Sequence, residues 1–212
     1  MPVARPTDAL VGRVDRATRS ARERIAVTGF FLGTQSALDQ VLSRTFFELS
    51  NRRWAADEQG DSHHAAFRDG LARLAAAPSD VVDLGTGAGG TAALMARTWP
   101  SATVLGIDSS RQMIRRARRE HPDLPHLTFA WGDGLRLALC DASADLVTSL
   151  NYLPYPGQVR RVLRPGGHVL VASTFQSVGT AAIEANWKQH GFVLEAQQDA
   201  SVGSFELYRL GA

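Results

Sequence analysis

The feature that most constrains the fold is the segment VVDLGTGAGG at residues 81–90. Its apolar first half predicts a strand that is buried on both faces of a parallel sheet. The strand is followed by glycines at every second position, namely Gly85, Gly87 and Gly89. Glycine allows the backbone to turn tightly against a ligand. A helix predicted at residues 91–98 would then direct unpaired N–H groups and a positive dipole end at that ligand.

The glycine pattern alone leaves the cofactor open. Gly85, Gly87 and Gly89 fit one spacing, whereas Gly90 as the third glycine fits the dinucleotide spacing G-x-G-x-x-G. A second predicted strand, residues 103–107, ends in Asp108, where a carboxylate can accept hydrogen bonds from a ribose diol. Both a dinucleotide and an adenosyl cofactor would use such a carboxylate.

Two further acidic residues favour an adenosyl cofactor. Asp83 stands at the end of the first strand, where its negative charge would repel a pyrophosphate and attract a cationic group. A third predicted strand, residues 126–130, leads into Trp131-Gly132-Asp133. That carboxylate can accept a hydrogen bond from an adenine amino group, so an adenosine with an amino-acid tail would satisfy all three acids.

In the order of these motifs the chain resembles the class I S-adenosylmethionine-dependent methyltransferases over residues 79–212. VVDLGTGAGG resembles the first family motif, GIDSS the ribose motif, WGDG the adenine motif, DLVTSLNYL the fourth strand and LRPGGHVLVAST the turn into the fifth. The resemblance implies an α/β fold with a doubly wound, mostly parallel seven-stranded sheet. Its strand order would be 3-2-1-4-5-7-6, with the last strand antiparallel.

The resemblance also implies cofactor contacts for S-adenosyl-L-methionine, whose product is S-adenosyl-L-homocysteine. The predicted cofactor-binding residues are Asp83, Gly85, Thr86, Gly87, Gly89, Asp108, Ser109, Gly132, Asp133 and Asn151. Each acid also has a structural interpretation, because Asp83 can end a strand and Asp108 or Asp133 can cap a helix. The pair Gly166-Gly167 after Pro165 is typical of a tight turn.

The acceptor side is less strongly marked in the sequence. Residues 1–78 read as a helical cap or lid segment, with helices at 8–24, 34–49 and 64–77, and residues 79–212 as the cofactor-binding domain. We expect several residues of the first segment to lie near the cofactor: Phe46, Phe47, Trp54, His63 and His64. If the acceptor is a hydroxyl or thiol, a base is useful, and the candidate catalytic residues are His63, His64 and Tyr152.

Composition is that of an ordinary soluble enzyme, with 44% hydrophobic and 21% charged residues among 212. The single cysteine, Cys140, excludes an intrachain disulfide and a multi-cysteine metal site, and we predict no metal. No run of about 18 apolar residues and no secretory signal pattern is present. We therefore expect a cytoplasmic protein without membrane insertion.

The basic residues are almost all arginine, since Lys188 is the one lysine. They cluster near the N-terminus and at residues 111–119, but aromatic residues are not interleaved with them, which disfavours nucleic acid. We expect a methyltransferase for a small-molecule acceptor, with a homodimer possible. The alternatives are an NAD-binding oxidoreductase, an inactive S-adenosylmethionine-binding regulator or partner protein, and an RNA methyltransferase.

Overall fold

The computed structural model describes residues 61–174, 181–199 and 203–211. A 3-10 turn, Asp61–His64, leads into the first helix, and strands and helices then alternate. The helices are α1 (Ala65–Leu71), α2 (Gly90–Thr98), α3 (Arg111–Glu120), α4 (Pro156–Val162) and α5 (Ala181–Gln189). The strands are β1 (Asp80–Leu84), β2 (Thr103–Asp108), β3 (Leu127–Trp131), β4 (Ala144–Leu150), β5 (Leu163–Ser173), β6 (Phe192–Asp199) and β7 (Ser204–Leu210).

These strands form one seven-stranded sheet in the order β3-β2-β1-β4-β5-β7-β6. Strands β1 to β5 pair in parallel, while β7 runs antiparallel to both β5 and β6. The fold class and strand order predicted from the sequence are confirmed. Because the central strands are parallel, the turns that follow β1, β2, β3 and β4 all leave the sheet at one carboxyl edge.

The central strands are apolar because helices and other elements cover the sheet on both faces. Val81, Leu84 and Val104 are almost fully buried, as are most residues of β4 and, in β5, Val169, Leu170 and Ala172. Helix α3 shows the expected division, with Met113, Ile114 and Ala117 buried and its arginines mainly outward. In α1, Phe67 and Leu71 belong to the same core cluster as residues of β5 and β7.

Some local expectations differ from the structure. Helix α1 ends at Leu71, well before the predicted residue 77. The residues after Asp133 form a turn instead of a short helix. Gly166-Gly167 lies within β5, in an irregular stretch where the partners of Leu163 and His168 are Ala144 and Leu146. The expected helices at 8–24 and 34–49, together with Phe46, Phe47 and Trp54, lie outside the described residues.

A polar cluster fastens the amino ends of three central strands. Asp145 accepts backbone N–H hydrogen bonds from Ser79 and Asp80, each at 3.0 Å. Arg164 bridges Asp145 at 2.7 Å and Asp80 at 2.9 Å. Partial burial would raise the pKa of Asp145, but the hydrogen bonds from Arg164, Asp80 and Ser79 outweigh it and hold the pKa below its usual value.

The described residues contain no helix that is long and apolar enough to cross a membrane.

The depressed pKa of Asp145 predicts a pH-dependent contribution to stability. A carboxylate with a lowered folded-state pKa stabilises above its unfolded pKa, and this is lost as pH falls through the folded pKa. Since both partners are about a third exposed and water screens the ion pair, we expect Arg164→Met to cause only a small loss in the free energy of unfolding at neutral pH. The difference from wild type should shrink as pH falls below the usual aspartate pKa, measured by urea unfolding. A difference that stays constant with pH would contradict this account.

Candidate cofactor site

The glycine-rich turn after β1 adopts left-handed backbone conformations, which cost glycine little free energy because it has no Cβ. Gly85, Gly87 and Gly89 have φ values of 70°, 56° and 89°, in the left-handed region. The N–H groups of Gly85 and Thr86 both donate to the carbonyl of Ile107, at 2.9 and 3.1 Å, which ties the turn to β2. A side chain at Gly89 would also collide with the ring of Phe129, 2.6 Å from an added Cβ. The turn is therefore fixed closely against the sheet edge.

Helix α2 begins directly after this turn and has no side-chain cap. Gly89 is its N-cap residue, and the first backbone bond runs from the N–H of Ala93 to the carbonyl of Gly89 at 2.8 Å. The N–H groups of the first turn of a helix have no partner within the helix. They carry the positive end of the helix dipole, which favours a negatively charged ligand group nearby.

Asp108, at the end of β2, joins the glycine turn to the start of α3. One oxygen, Oδ2, accepts the N–H of Gly87 at 2.9 Å, and Oδ1 accepts the N–H of Ser110 at 2.7 Å. Burial raises the pKa of Asp108, and these two backbone bonds counteract part of that rise. Each carboxylate oxygen has two lone pairs, so both oxygens retain capacity to accept ribose hydroxyls.

The residues predicted for the adenine side lie at the end of β3. Asp133 is exposed, and its Oδ1 accepts the N–H of Leu135 at 2.9 Å. Gly132 donates its N–H to the carbonyl of Asp108 at 3.0 Å. The indole of Trp131 donates to the carbonyl of Ser109 at 2.9 Å. The structure thus brings Asp108, Ser109, Gly132 and Asp133 together at adjacent strand ends.

Asp83 does not reach the surface of this cleft. Its side chain is fully buried, and Oδ2 accepts the hydroxyls of Thr86 and Thr91 at 2.7 Å each. Its Oδ1 accepts the hydroxyl of Thr148 in β4, also at 2.7 Å. Burial raises the pKa of Asp83, the three hydroxyl bonds lower it, and the nearby Asp108 raises it further. Here Asp83 acts on the cleft by holding the turn, α2 and β4 together.

Asn151 follows β4 and anchors the fourth strand end to the fifth. Its φ of 58° is unusual for a residue other than glycine, although asparagine is enriched in this region. Its Oδ1 accepts the N–H of Thr174 at 2.9 Å and the hydroxyl of Thr174 at 3.1 Å. Its own N–H donates to the carbonyl of Ala172 at 2.9 Å. Asn151 therefore fixes the direction in which the next residue leaves the sheet.

That next residue, Tyr152, lies in the cleft between the glycine turn and Gly134. A Cβ added to Gly85 would lie 2.9 Å from the Cβ of Tyr152, and one added to Gly134 would collide with its hydroxyl. Burial raises the pKa of Tyr152 to about 12, and the carboxylates of Asp133 and Asp108 contribute to the rise. With this raised pKa the phenol stays protonated at neutral pH and is a hydrogen-bond donor. The raised pKa therefore argues against Tyr152 as a general base.

The structure brings one of the two predicted histidines to the glycine turn. A Cβ added to Gly90 would lie 3.2 Å from Nε2 of His64. The rings of His63 and His64 meet edge to face, with centroids 5.1 Å apart. Both histidines are half-buried, and the segment before α1 places the imidazole of His64 beside the start of α2. Sequence distance alone does not reveal this proximity.

The site fits an adenosyl cofactor on several structural grounds. The left-handed glycines leave room that any side chain would fill, and α2 presents its uncapped amino end beside them. Asp108 would hold the ribose. Asp133 would hold the adenine amino group through the carboxylate oxygen that does not accept the N–H of Leu135. The amino-acid tail would lie over the turn. These roles are the predicted ones, and they remain predictions.

Sequence reasoning missed the part played by two threonines. Thr91 and Thr148 supply two of the three hydroxyls to Asp83, and Thr148 is the direct neighbour of Asp83 across the β1–β4 pair. A signal for them existed, because a buried carboxylate within an apolar strand requires donors. Polar residues inside the otherwise apolar β4 were the candidates to supply them.

The hydroxyl network around Asp83 predicts a large stability effect. We expect Asp83→Ala to lower the free energy of unfolding by about 3 kcal/mol, because it leaves three buried hydroxyls without their acceptor. Asp83→Asn should cost less, since the amide still accepts at one atom and the hydroxyls can reorient toward the other. Chemical denaturation of both variants measures the effect. Equal and small losses would show that the hydroxyls do not depend on this side chain.

The central part of the chain is similar in sequence to known methyltransferases. Residues 81–167 match the family model described as a methyltransferase domain. A trans-aconitate 2-methyltransferase from Azoarcus sp. is 37% identical over 50% of this chain and 44% of its own length. A malonyl-[acyl-carrier protein] O-methyltransferase from Methylococcus capsulatus is 31% identical over 56% of this chain and 46% of its own.

A relative from Micromonospora griseorubida, named for 23S rRNA (guanine-N(1)-) methylation, is 37% identical over 50% of this chain and 35% of its own length. The chain therefore spans less than half the length of these curated relatives. Among solved structures, an S-adenosylmethionine-dependent methyltransferase from Mesorhizobium loti shares the fold. It has a TM-score of 0.58 and 20% identity, and the match covers 72% of this chain and 99% of that one.

The family match begins at β1 and runs into β5, so it contains the glycine turn, Asp108, Asp133 and Asn151. The sheet order and the similarity in fold to a solved S-adenosylmethionine-dependent enzyme agree with it. Residues 81–167 of this chain therefore match a methyltransferase domain, and the sheet around them has the class I, Rossmann-like strand order.

Proposed function

We propose that this protein transfers a methyl group from S-adenosyl-L-methionine to a small-molecule acceptor. The observation that carries the proposal is the meeting of the glycine turn, Asp108 and Asp133 at one carboxyl edge of the sheet. In open α/β sheets, ligands bind in the crevice outside the carboxyl ends of the strands. The names of the trans-aconitate and malonyl-carrier relatives support an organic-acid class of acceptor.

Different residues of the cleft would bind different parts of the cofactor. Asp108 would accept the ribose hydroxyls while its backbone bonds keep it in place, and Asp133 would accept the adenine amino group. The start of α2 and the glycine turn would hold the amino-acid tail through backbone N–H groups. When bound, the cofactor supplies a methyl group on a positively charged sulfur. The protein then mainly orients the acceptor in line with that methyl and excludes water.

A general base would help only an acceptor that must lose a proton. His64 is the best placed of the predicted candidates, because its imidazole lies beside Gly90 at the start of α2. Tyr152 is less suited, since its pKa of about 12 keeps the phenol protonated. A carboxylate acceptor is already deprotonated at neutral pH and would not need a base.

The alternatives receive less support from the described residues. A dinucleotide-binding sheet has the order 3-2-1-4-5-6, whereas this sheet inserts the antiparallel β7 between β5 and β6. An RNA acceptor is favoured by the name of one relative and by the outward arginines of α3. A regulator that binds the cofactor without transferring the methyl group would share the same cleft.

Calorimetric titration with S-adenosylmethionine, S-adenosylhomocysteine and NADH tests the proposal directly. We expect one-to-one binding of the two adenosyl compounds and none of NADH. Asp108→Asn should weaken the binding by about 1.5 to 3 kcal/mol, the scale of a hydrogen bond to a charged group. Asp123→Asn, an exposed carboxylate elsewhere on the surface, is the matched control and should bind as wild type does. Binding of NADH alone would replace the proposal with hydride transfer.

Once an acceptor is found by screening, His64 can be tested. For a hydroxyl or thiol acceptor we expect His64→Asn to reduce kcat by about 100-fold, the lower range for a general base. His63→Asn is the matched control, since its neighbour and not His63 lies against Gly90. Cofactor affinity should be retained in both variants. An equal loss in both, or a loss that follows cofactor affinity, would assign His64 a structural role.

A further inference from the structure

Tyr152 occupies the middle of the cofactor cleft. Its Cβ and Cγ would lie 2.9 and 3.1 Å from a Cβ at Gly85, so the start of the side chain packs against the glycine turn. Its hydroxyl touches Gly134, one residue beyond Asp133. The ring therefore spans the distance between the first glycine of the turn and the loop that follows β3.

The ring of Tyr152 therefore lies near both carboxylates that are predicted to bind the adenosine, Asp108 and Asp133. The hydroxyl lies against Gly134, the residue after Asp133, and the start of the side chain lies against Gly85, two residues before the Gly87 whose N–H Asp108 accepts. An adenosyl group held by these two carboxylates would need much of the volume that the ring now fills. Protein side chains pack at close to crystal density, so both cannot be accommodated without a movement.

The backbone on either side of Tyr152 restricts what can move. Asn151 is tied to Ala172 and Thr174 by three hydrogen bonds, and Pro154 is buried two residues later. Glycines Gly85 and Gly134 are in contact with the ring itself, and no described residue donates to or accepts from its hydroxyl in a hydrogen bond. Rotation of the side chain about its own bonds is thus the least costly way to clear the cleft.

We propose that Tyr152 is a gate on the cofactor cleft, closed in this structure by its contacts with Gly85 and Gly134 and opened when the adenosyl cofactor binds. The inference rests on the proposed function, because it takes S-adenosylmethionine or its product as the ligand. If the closed state excludes the ligand, only the open molecules bind it. The apparent affinity then equals the affinity of the open state multiplied by the fraction of molecules that are open. Removing the ring should therefore speed association of the ligand.

The first experiment measures S-adenosylhomocysteine association by stopped-flow fluorescence in wild type, Tyr152→Ala and Tyr155→Ala. We expect Tyr152→Ala to raise the association rate constant by about 10-fold, the effect of an open state populated at roughly a tenth. Tyr155 is exposed and lies three residues further on, so Tyr155→Ala is the matched control and should associate at the wild-type rate. Tyr152→Phe keeps the ring and should remain slow.

The second experiment observes the ring without any reaction. The chain has three tyrosines, so 3-fluorotyrosine labelling gives three fluorine resonances, and Tyr152→Phe identifies one of them. We expect that resonance to move toward the position of a solvent-exposed tyrosine when S-adenosylhomocysteine is added. The resonance of Tyr208, which is buried against Trp187, should not move.

The outcomes separate the gate from the proposed function. Saturable binding with an unchanged or slower association in Tyr152→Ala would overturn the gate and make Tyr152 part of the wall of the bound site. An unmoved resonance at saturation would also overturn it. Binding by Tyr152→Ala but not by wild type would support a gate that is strongly closed. No binding by either protein would refute the proposed function and the gate together. If Tyr152→Ala does not fold, the fluorine experiment decides alone.

Discussion

The site depends on one buried carboxylate and the three hydroxyls that satisfy it. Asp83 has no solvent exposure and accepts hydrogen bonds from Thr86 in the turn, Thr91 in α2 and Thr148 in β4. An ionised or polar group in such a position is costly unless its partners are complete. The glycine turn, α2 and β4 must therefore keep one relative arrangement. Asp83, which is buried beneath the glycine turn, holds the turn in position.

The two sides of the cleft differ in how firmly they are held. On the β1–β2 side, the carbonyl of Ile107 and the carboxylate of Asp108 hold the turn through three backbone N–H groups, those of Gly85, Thr86 and Gly87. Asp108 also accepts the N–H of Ser110 at the start of α3. On the β4 side, Asn151 is fixed by hydrogen bonds, whereas among the described residues the contacts of the Tyr152 ring are packing contacts with Gly85 and Gly134. A rigid wall facing a movable side chain is suited to a cleft that must admit and then enclose a ligand.

The relatives that share this domain are named for different acceptors: an organic acid, a carrier-bound malonyl group and a ribosomal guanine. The match to the family model, residues 81–167, contains the glycine turn, Asp108 and Asp133 and ends within β5. A shared fold does not imply a shared substrate. The match over residues 81–167 therefore does not identify the acceptor of this chain.

Local sequence determined the strands and the glycine turn, because apolar runs and glycine spacing are visible along the chain. The strand order was predicted from the resemblance to the methyltransferases, which rests on the order of the motifs. The same signals located Asp108 and Asp133, which follow directly from strand ends. Tertiary structure alone decided that Asp83 faces inward, since its three donors come from separate elements. It also placed His64 against Gly90 and Tyr152 between Gly85 and Gly134. Such contacts join residues distant in sequence, and only the packing of the whole sheet brings them together.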